Sequence, residues 1–262
     1  MNGIVAVGDN CIDYYAALDA ARPGGNAVNV AVNAVRCGAQ AAYIGVVGDD
    51  PHGRLLLDAL RKEGVDISHV RVVPGKTAVT QVSLVNGERV LGDYDDGVQA
   101  DFRLTEDDFT FIARHDLFTA GLWGHVEHDL AAVRALGVPI AFDCATKPDH
   151  AIVDIALPSV DVAFFSADGP PDDALRDRLR AFANRGPRLV VATLGEHGSA
   201  AWSEGAMITC PAEPTRVVDT MGAGDSYIAA FCWAMVTGAS VADCMKAGTR
   251  SATRTLLLDG AW

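Results

Sequence analysis

The sequence is poor in basic side chains: 21 Lys and Arg stand against 34 Asp and Glu, a formal net charge of −13. Binding to nucleic acid or to an anionic membrane draws on clustered Lys and Arg, so the composition predicts neither as a partner. A nucleotide stays open, because backbone N–H groups, a metal ion and one or two basic side chains can hold it. No apolar stretch is long enough to span a bilayer. No basic, apolar and small-residue export signal precedes the strand-like Ile4-Val5-Ala6-Val7. The 6 cysteines (Cys11, Cys37, Cys144, Cys210, Cys232, Cys244) include no Cys-x-x-Cys pair. They read as small core fillers in a reducing compartment, and the expected location is cytoplasmic. Three motifs are also missing: the Gly-x4-Gly-Lys-Ser/Thr phosphate loop, the Gly-x-Ser-x-Gly elbow and His-Glu-x-x-His.

What is present is apolar material for one large core. Half of the 262 residues are hydrophobic, which predicts a single domain over 1–262. Strand-like runs at Ile4 to Gly8, Ala42 to Val47, Asp116 to Ala120, Ile140 to Asp143, Val162 to Phe165 and Arg188 to Leu194 alternate with helical segments. One helix is expected to follow Pro23-Gly24-Gly25 and run to about Arg36, and others near Arg54 to Gly64, Leu104 to Arg114, Ala131 to Leu136, Asp172 to Asn184 and Val241 to Leu256. This alternation predicts an α/β fold with a mostly parallel central sheet covered on both faces. Thr77 to Val85 and Glu88 to Tyr94 flank Asn86-Gly87, a strong hairpin signal. Val82 and Leu84 alternate with Gln81 and Ser83, so one face of that ribbon is apolar and needs a cover.

The stretch Arg216 to Ser226 carries the sharpest chemical signal. Val217 and Val218 read as a strand end, and a helix is expected from Ala223, with Gly224, Ile228, Phe231 and Met235 on one face. Gly222-Ala223-Gly224 between them is too small to keep a ligand away. The N–H groups of the first turn would then face a cavity where the helix dipole favours an anion. Asp225 hangs over the same cavity, which suits a base that takes a proton from an attacking hydroxyl while a phosphoryl group passes. A plain helix cap by Asp219 or Asp225 fits these residues too. A dinucleotide fingerprint fits poorly, because the third glycine is missing at its spacing.

Other candidates lie at strand ends, where open α/β sheets bind ligands. Asp9 and Asp13 suit a polyhydroxylated ligand or a solvated turn. Gly24-Gly25 lets backbone approach closely, and Asn26 or Asn29 offers both halves of an amide. Trp123, His125 and Glu127 are expected to shape a substrate pocket; His125 and His128 are a poor metal pair, since a third ligand is not evident. Lys147 reads either as a contact to a nucleotide phosphate or as a solvated loop residue.

Gly24-Gly25, Asn29, Ala31, Gly38 and Gly48 together resemble the N-terminal signature of the PfkB (ribokinase-like) carbohydrate kinases. Asp219-Thr220-x-Gly222-Ala223-Gly224-Asp225 resembles their C-terminal signature. The resemblance spans essentially the whole chain. It implies a three-layer α/β/α sandwich with a small β-sheet lid, formed by about 11–22 and 77–100, that closes over the sugar and often packs against a second lid in a homodimer. It implies ATP as phosphoryl donor and Mg²⁺ bridging its phosphates. Asp225 would be the base and Gly222, Ala223 and Gly224 the anion hole. Asp13, Gly25, Asn26 and Asn29 would hold the sugar, and Thr193, Gly195 and Gly198 would contact the nucleotide. The sequence departs from many relatives in lacking Asn-x-x-Glu after the Val162–Phe165 strand. Ser166-Ala167-Asp168-Gly169-Pro170-Pro171-Asp172-Asp173 stands there, leaving Asp168 or Asp172 to act on magnesium through water.

A narrower resemblance rests on Gly8-Asp9-Asn10-Cys11, Gly92-Asp93-Tyr94, Trp123-Gly124-His125 and Gly260-Ala261-Trp262. It points to members of this family that phosphorylate the 6-hydroxyl of fructosamine (Amadori) sugars. Asp9, Asp13 and Glu127 would then suit the ammonium groups of such a substrate. Another small sugar or nucleoside as substrate, or a non-catalytic sugar or nucleotide sensor, are the alternatives.

Overall fold

A computed structural model describes residues 3–85 and 88–262. The chain runs through β1 (Ile4–Val7), β2 (Cys11–Tyr15), β3 (Ala20–Gly24), α1 (Asn26–Arg36), β4 (Ala41–Gly48) and α2 (Pro51–Glu63). It continues with β5 (Val70–Val73), β6 (Val79–Val85), β7 (Glu88–Asp95), α3 (Glu106–Ile112), β8 (Leu117–Gly121), α4 (Leu130–Ala135) and β9 (Ile140–Asp143). Then follow α5 (Ala151–Ala156), β10 (Val162–Ser166), α6 (Asp173–Ala183), β11 (Leu189–Thr193), β12 (Ser199–Ser203), β13 (Ala206–Cys210), α7 (Ala223–Val236) and α8 (Val241–Thr255).

Nine of these strands make the central sheet, in the order β13-β12-β11-β10-β9-β8-β1-β4-β5. Pairing is parallel from β5 to β11, and β12 and β13 close one edge antiparallel. Strands buried on both faces need apolar residues at every position, and β1, β4 and β8 are buried throughout. Neighbouring residues then serve opposite layers. Phe164 packs edge-on against Phe231 of α7, with ring centroids 5.3 Å apart, whereas Phe165 meets Phe182 of α6 at 5.1 Å. The expected α/β/α layering follows from this.

The helices start where local chemistry satisfies their first N–H groups. Asp50 accepts from Gly53, Thr105 and Asp108 form a reciprocal capping box, and Asp172 accepts from Leu175. α7 starts differently, with Gly222 at its cap position and no side chain bonded there, and α4 likewise lacks a capping side-chain bond at Asp129.

The second sheet has four strands in the order β3-β2-β6-β7. Val82 is buried and its neighbours Gln81 and Ser83 are exposed, as alternation requires. The dipeptide Asn86-Gly87 lies outside the described residues; on either side of it Val85 pairs with Glu88.

Three sequence expectations need correction. Val217 and Val218 form no strand: they are more than half exposed, in the irregular segment between β13 and α7. High β-propensity does not make a strand without a partner. Gly224, Ile228, Phe231 and Met235 share a side of α7, but they are not its one apolar stripe. Residues Ser226 to Cys232 are buried all round, because α1, α8 and the sheet enclose the helix, and Gly224 is exposed. The β12–β13 hairpin was not expected, and its Glu204-Gly205 turn takes positive φ at both residues.

Candidate active site

In the central sheet the chain grows from β1 toward β4 and β5 in one direction, and from β8 to β13 in the other. The crevice at the carboxyl ends of β1 and β8 is therefore the topological switch point, the usual ligand position in such sheets. Asp9 and Asn10 leave β1 there, Gly121 ends β8, Asp143 ends β9, and α1 and α7 both begin there.

Asn26 organises this crevice. Its backbone N–H donates to Asp9 Oδ2 at 2.7 Å, and its Nδ2 donates both to Asp143 Oδ2 at 2.9 Å and to Asp225 Oδ1 at 2.7 Å. Asn29, one turn later, donates through Nδ2 to Asp225 Oδ2 at 2.7 Å. Asp225 thus accepts one amide on each oxygen. Burial, and next the Asp143 charge, push its pKa up to about 7, against the pull of the two amides. Burial likewise raises Asp143 to about 6 and holds Asp9 above the usual carboxylate range.

The capping alternative for the two aspartates falls away. Asp219 Oδ1 accepts from Met221 N at 3.1 Å and Oδ2 from Gly260 N at 2.7 Å, so it shapes the turn before α7. Gly222 holds φ +70°, Ala223 N reaches Thr220 O at only 3.3 Å, and Gly224 has open space around its Cα. An N-terminus without a side-chain cap, next to a carboxylate titrating near neutrality, can bind a transferring anion and take up a proton.

Other expected residues are distributed as follows. Asp13 is buried on β2 and accepts a weak bond from Cys11 Sγ at 3.5 Å. It lines a cavity of about 130 Å³ together with Met221 and Trp262. Asp9 gives its oxygens to the start of α1, through Asn26 N and Ala27 N, and so works as a cap from outside the helix. Gly25 has φ +105°, and a Cβ on it would stand 2.5 Å from Asn10 Cα. Its smallness lets two chain segments cross, a requirement separate from close approach to a ligand. His125 sits 3.7 Å from Asp96 and also acts on Asp9, whereas Glu127 lies with His128, 3.8 Å away, and Asp129. Among the described residues no three His, Cys, Asp or Glu are grouped to hold a metal.

On the other side of the crevice, Thr193 ends β11 with its hydroxyl 3.0 Å from that of Ser166. Gly195 (φ +54°) has open space where a Cβ would stand. Gly198 does not: a Cβ there would be 2.1 Å from Cys210 O, so this glycine serves the packing of β13. Lys147 lies over the Trp123 ring at 4.8 Å and lines a cavity of about 690 Å³ with Asp168 and Asp172. Asp172 is committed to capping α6, which leaves the exposed Asp168 as the carboxylate of that segment open to water.

Sequence reasoning missed Asp143 and Gln99, and it named Trp262 only within a resemblance, without a place in the site. The rule that singled out Asp9, an acid at a strand's carboxyl end, applies equally to Asp143. Gln99 accepts from Asn10 N at 2.9 Å and donates to Trp123 O at 3.2 Å, which ties the exit of the small sheet to the site. Nothing in the local sequence marks it.

Solved structures share this architecture. Arabidopsis thaliana ribokinase complexed with ribose and ATP superposes with a TM-score of 0.85 at 24% identity, covering 99% of this chain and 94% of that one. A putative ribokinase II in complex with ATP and Mg²⁺ from E. coli gives 0.84 at 18% identity, over 100% and 94%. The fold is thus the ribokinase-like sandwich with its smaller second sheet. The chain belongs to the pfkB family of carbohydrate kinases, which it matches over residues 4–261. It is similar to fructoselysine 6-kinase of Shigella flexneri, 44% identical over the full length of both chains, and to that of Escherichia coli (strain K12), 43% identical over the same span. A fructosamine kinase of Bacillus subtilis (strain 168) is 32% identical, over 99% of this chain and 92% of its own. The protein is an ATP-dependent carbohydrate kinase, and the sensor alternative is set aside. Among the described residues no helix is long and apolar enough to cross a membrane.

Proposed function

We propose that this kinase transfers the γ-phosphoryl group of ATP to the 6-hydroxyl of a fructosamine such as fructoselysine, with Asp225 as base. The observation that carries the chemistry is Asp225 itself, held by two amides, raised to about 7, and set at the start of a helix that no side chain caps. The hydroxyl oxygen forms the new bond to γ-phosphorus, the bond from γ-phosphorus to the bridging oxygen breaks, and ADP leaves. The hydroxyl proton passes to Asp225. A base with this pKa is largely ionised just above neutrality yet still strong enough to accept the proton. The amides of Gly222, Ala223 and Gly224 offset charge on the moving phosphoryl group, and one such donor is worth roughly 2.7–4 kcal/mol.

Asp13, Gly25, Asn26 and Asn29 are assigned to the sugar's surroundings, with His125 and Glu127 on the loop that leaves β8. Thr193, Gly195 and Gly198 are assigned to the nucleotide side, with Lys147 as a further candidate. Mg²⁺ is a hard ion that takes oxygen donors and keeps much of its water. The solvent-facing carboxylate of Asp168, which lines one cavity with Ser166, suits a water-mediated contact to it. When bound, the ion supplies charge neutralisation at the phosphates. The small sheet is read as a lid that excludes water, and as the contact of a homodimer.

The fructosamine assignment draws on the names of the relatives and on the acids around the crevice, which favour a substrate carrying an ammonium. Steady-state assays with ATP and fructoselysine, fructose or ribose test it. Fructoselysine is expected to lead in kcat/KM by about 100-fold or more, with phosphate on O6 by NMR. Equal turnover of free fructose would return the chain to the broader alternative, a family member acting on another small sugar or nucleoside.

A further inference from the structure

Beyond α8 the segment Asp259–Trp262 folds back onto the site at three points. Trp262 Nε1 donates to Asn29 Oδ1 at 2.8 Å, while Asn29 Nδ2 donates to Asp225 Oδ2 at 2.7 Å. An indole N–H can only donate and an ionised carboxylate can only accept. Reversing the Asn29 amide would therefore set NH₂ against the indole N–H and oxygen against the carboxylate. Both contacts would become repulsive, so the indole decides which half of the amide Asp225 meets.

The neighbouring residues hold the anion-binding turn. Ala261 packs under Gly222, where a Cβ would lie 2.5 Å from the Ala261 Cβ. Gly260 N donates to Asp219 Oδ2 at 2.7 Å, and the other oxygen of Asp219 holds Met221 N. On the outer side Asp259 takes both guanidinium nitrogens of Arg22 in β3, at 2.7 and 2.9 Å. One short segment thus touches the amide that holds the base, the turn that binds the anion, and a strand of the small sheet.

We infer that Trp262 is a positioning residue for the phosphoryl transfer: its indole N–H fixes the Asn29 amide so that a donor, never an acceptor, faces Asp225. The inference rests on the reading of Asp225 as base. It adds that the orientation of Asn29 is imposed from a residue 233 positions away.

Trp262→Phe keeps an aromatic ring and removes the donor. Its kcat is expected to fall about ten-fold, the size of one lost hydrogen bond to a group that holds a charge. The acid limb of its kcat/KM profile should move to higher pH, because an amide free to turn its oxygen toward Asp225 favours the protonated acid. KM for ATP should stay the same. In an Asn29→Ala background the substitution should add no further loss, since the two residues act in series. If Trp262→Phe does not fold, the isostere β-(3-benzothienyl)alanine at this position keeps the bicyclic shape without the N–H, and the same shifts are expected. Wild-type kcat with an unmoved acid limb overturns the inference, and so does a full additional loss on top of Asn29→Ala. A wild-type protein that phosphorylates no sugar overturns the proposed function instead.

Discussion

The two sides of the crevice are built differently. Where α1 meets α7, side chains 196 and 199 residues apart are joined by charge-assisted bonds of 2.7 Å, and the buried Asp9 and half-buried Asp143 and Asp225 surround one asparagine. On the β11 side the groups are more open: Gly195 borders empty space, Lys147 is exposed, and the turn Gly195–His197 is closed by backbone bonds such as Leu194 N to Gly198 O at 2.8 Å. Preorganisation is worth most where a reacting atom must meet a base within a few tenths of an ångström. A nucleotide brings its own charge and its own cation, so the β11 side, proposed to receive it, would need less fixed machinery. Substitutions on the first side should accordingly strike the rate, and those on the second side should strike stability or little at all.

The largest effect is expected from Asp225→Asn, which removes the proposed base from the rigid side. A positioned general base typically contributes about 10²–10⁴-fold, and kcat should fall within that range while circular dichroism shows an intact fold. The wild-type pH profile sharpens the point. Asp225 is protonated below its raised pKa of about 7 and cannot then accept the substrate's proton. Activity should therefore rise with pH up to neutrality, by up to about ten-fold per unit, and level above it. A profile flat down to pH 5, or full activity in Asp225→Asn, would break the comparison at its stronger end.

The sequence made this rigid side only half legible. Asp225 could be singled out because its signal is local: small residues, then an acid, then a helix. The parallel sheet was legible too, because strands buried on both faces leave short apolar runs between caps and glycines. Asp143 meets the same strand-end rule as Asp9, but its bond to Asn26, 117 residues away, is a contact that no local pattern shows. Trp262 was named without a role, because its partner Asn29 is 233 positions away. The glycines carry a cause that local sequence does not show: Gly25 and Gly198 are required at chain crossings that tertiary structure alone creates. Val217 and Val218 misled because β-propensity measures fit to a sheet surface, and no strand lies beside them.

Those glycines give the middle-sized prediction, on the open side. Gly198→Ala would need φ near +87° and would press a Cβ to 2.1 Å from Cys210 O. Left-handed strain and overpacking together should destabilise by about 2–4 kcal/mol, several degrees of Tm in a chain of this size. Gly195→Ala meets only the backbone term at φ +54°, because its Cβ would enter open space, and should destabilise by about 1–2 kcal/mol. Paired thermal unfolding curves check the order. An equal loss for both would mean that the β13 crossing is soft and that Gly198 is kept for the nucleotide.

The smallest effect is expected from Lys147→Ala. The ammonium lies over the indole of Trp123 at 4.8 Å and the side chain is exposed. An exposed contact of this kind contributes about 0.5–1 kcal/mol, and bulk water competes for the same charge. To reach a phosphate, the lysine must first leave that ring. The gain on the nucleotide is then reduced by the stacking it gives up, so KM for ATP should rise less than about five-fold with kcat unchanged. A rise of 50-fold or more would show that the lysine swings from Trp123 to the phosphates. The open side would then hold a mobile arm that assembles only around its ligand, in contrast to the fixed network that keeps Asp225 in place.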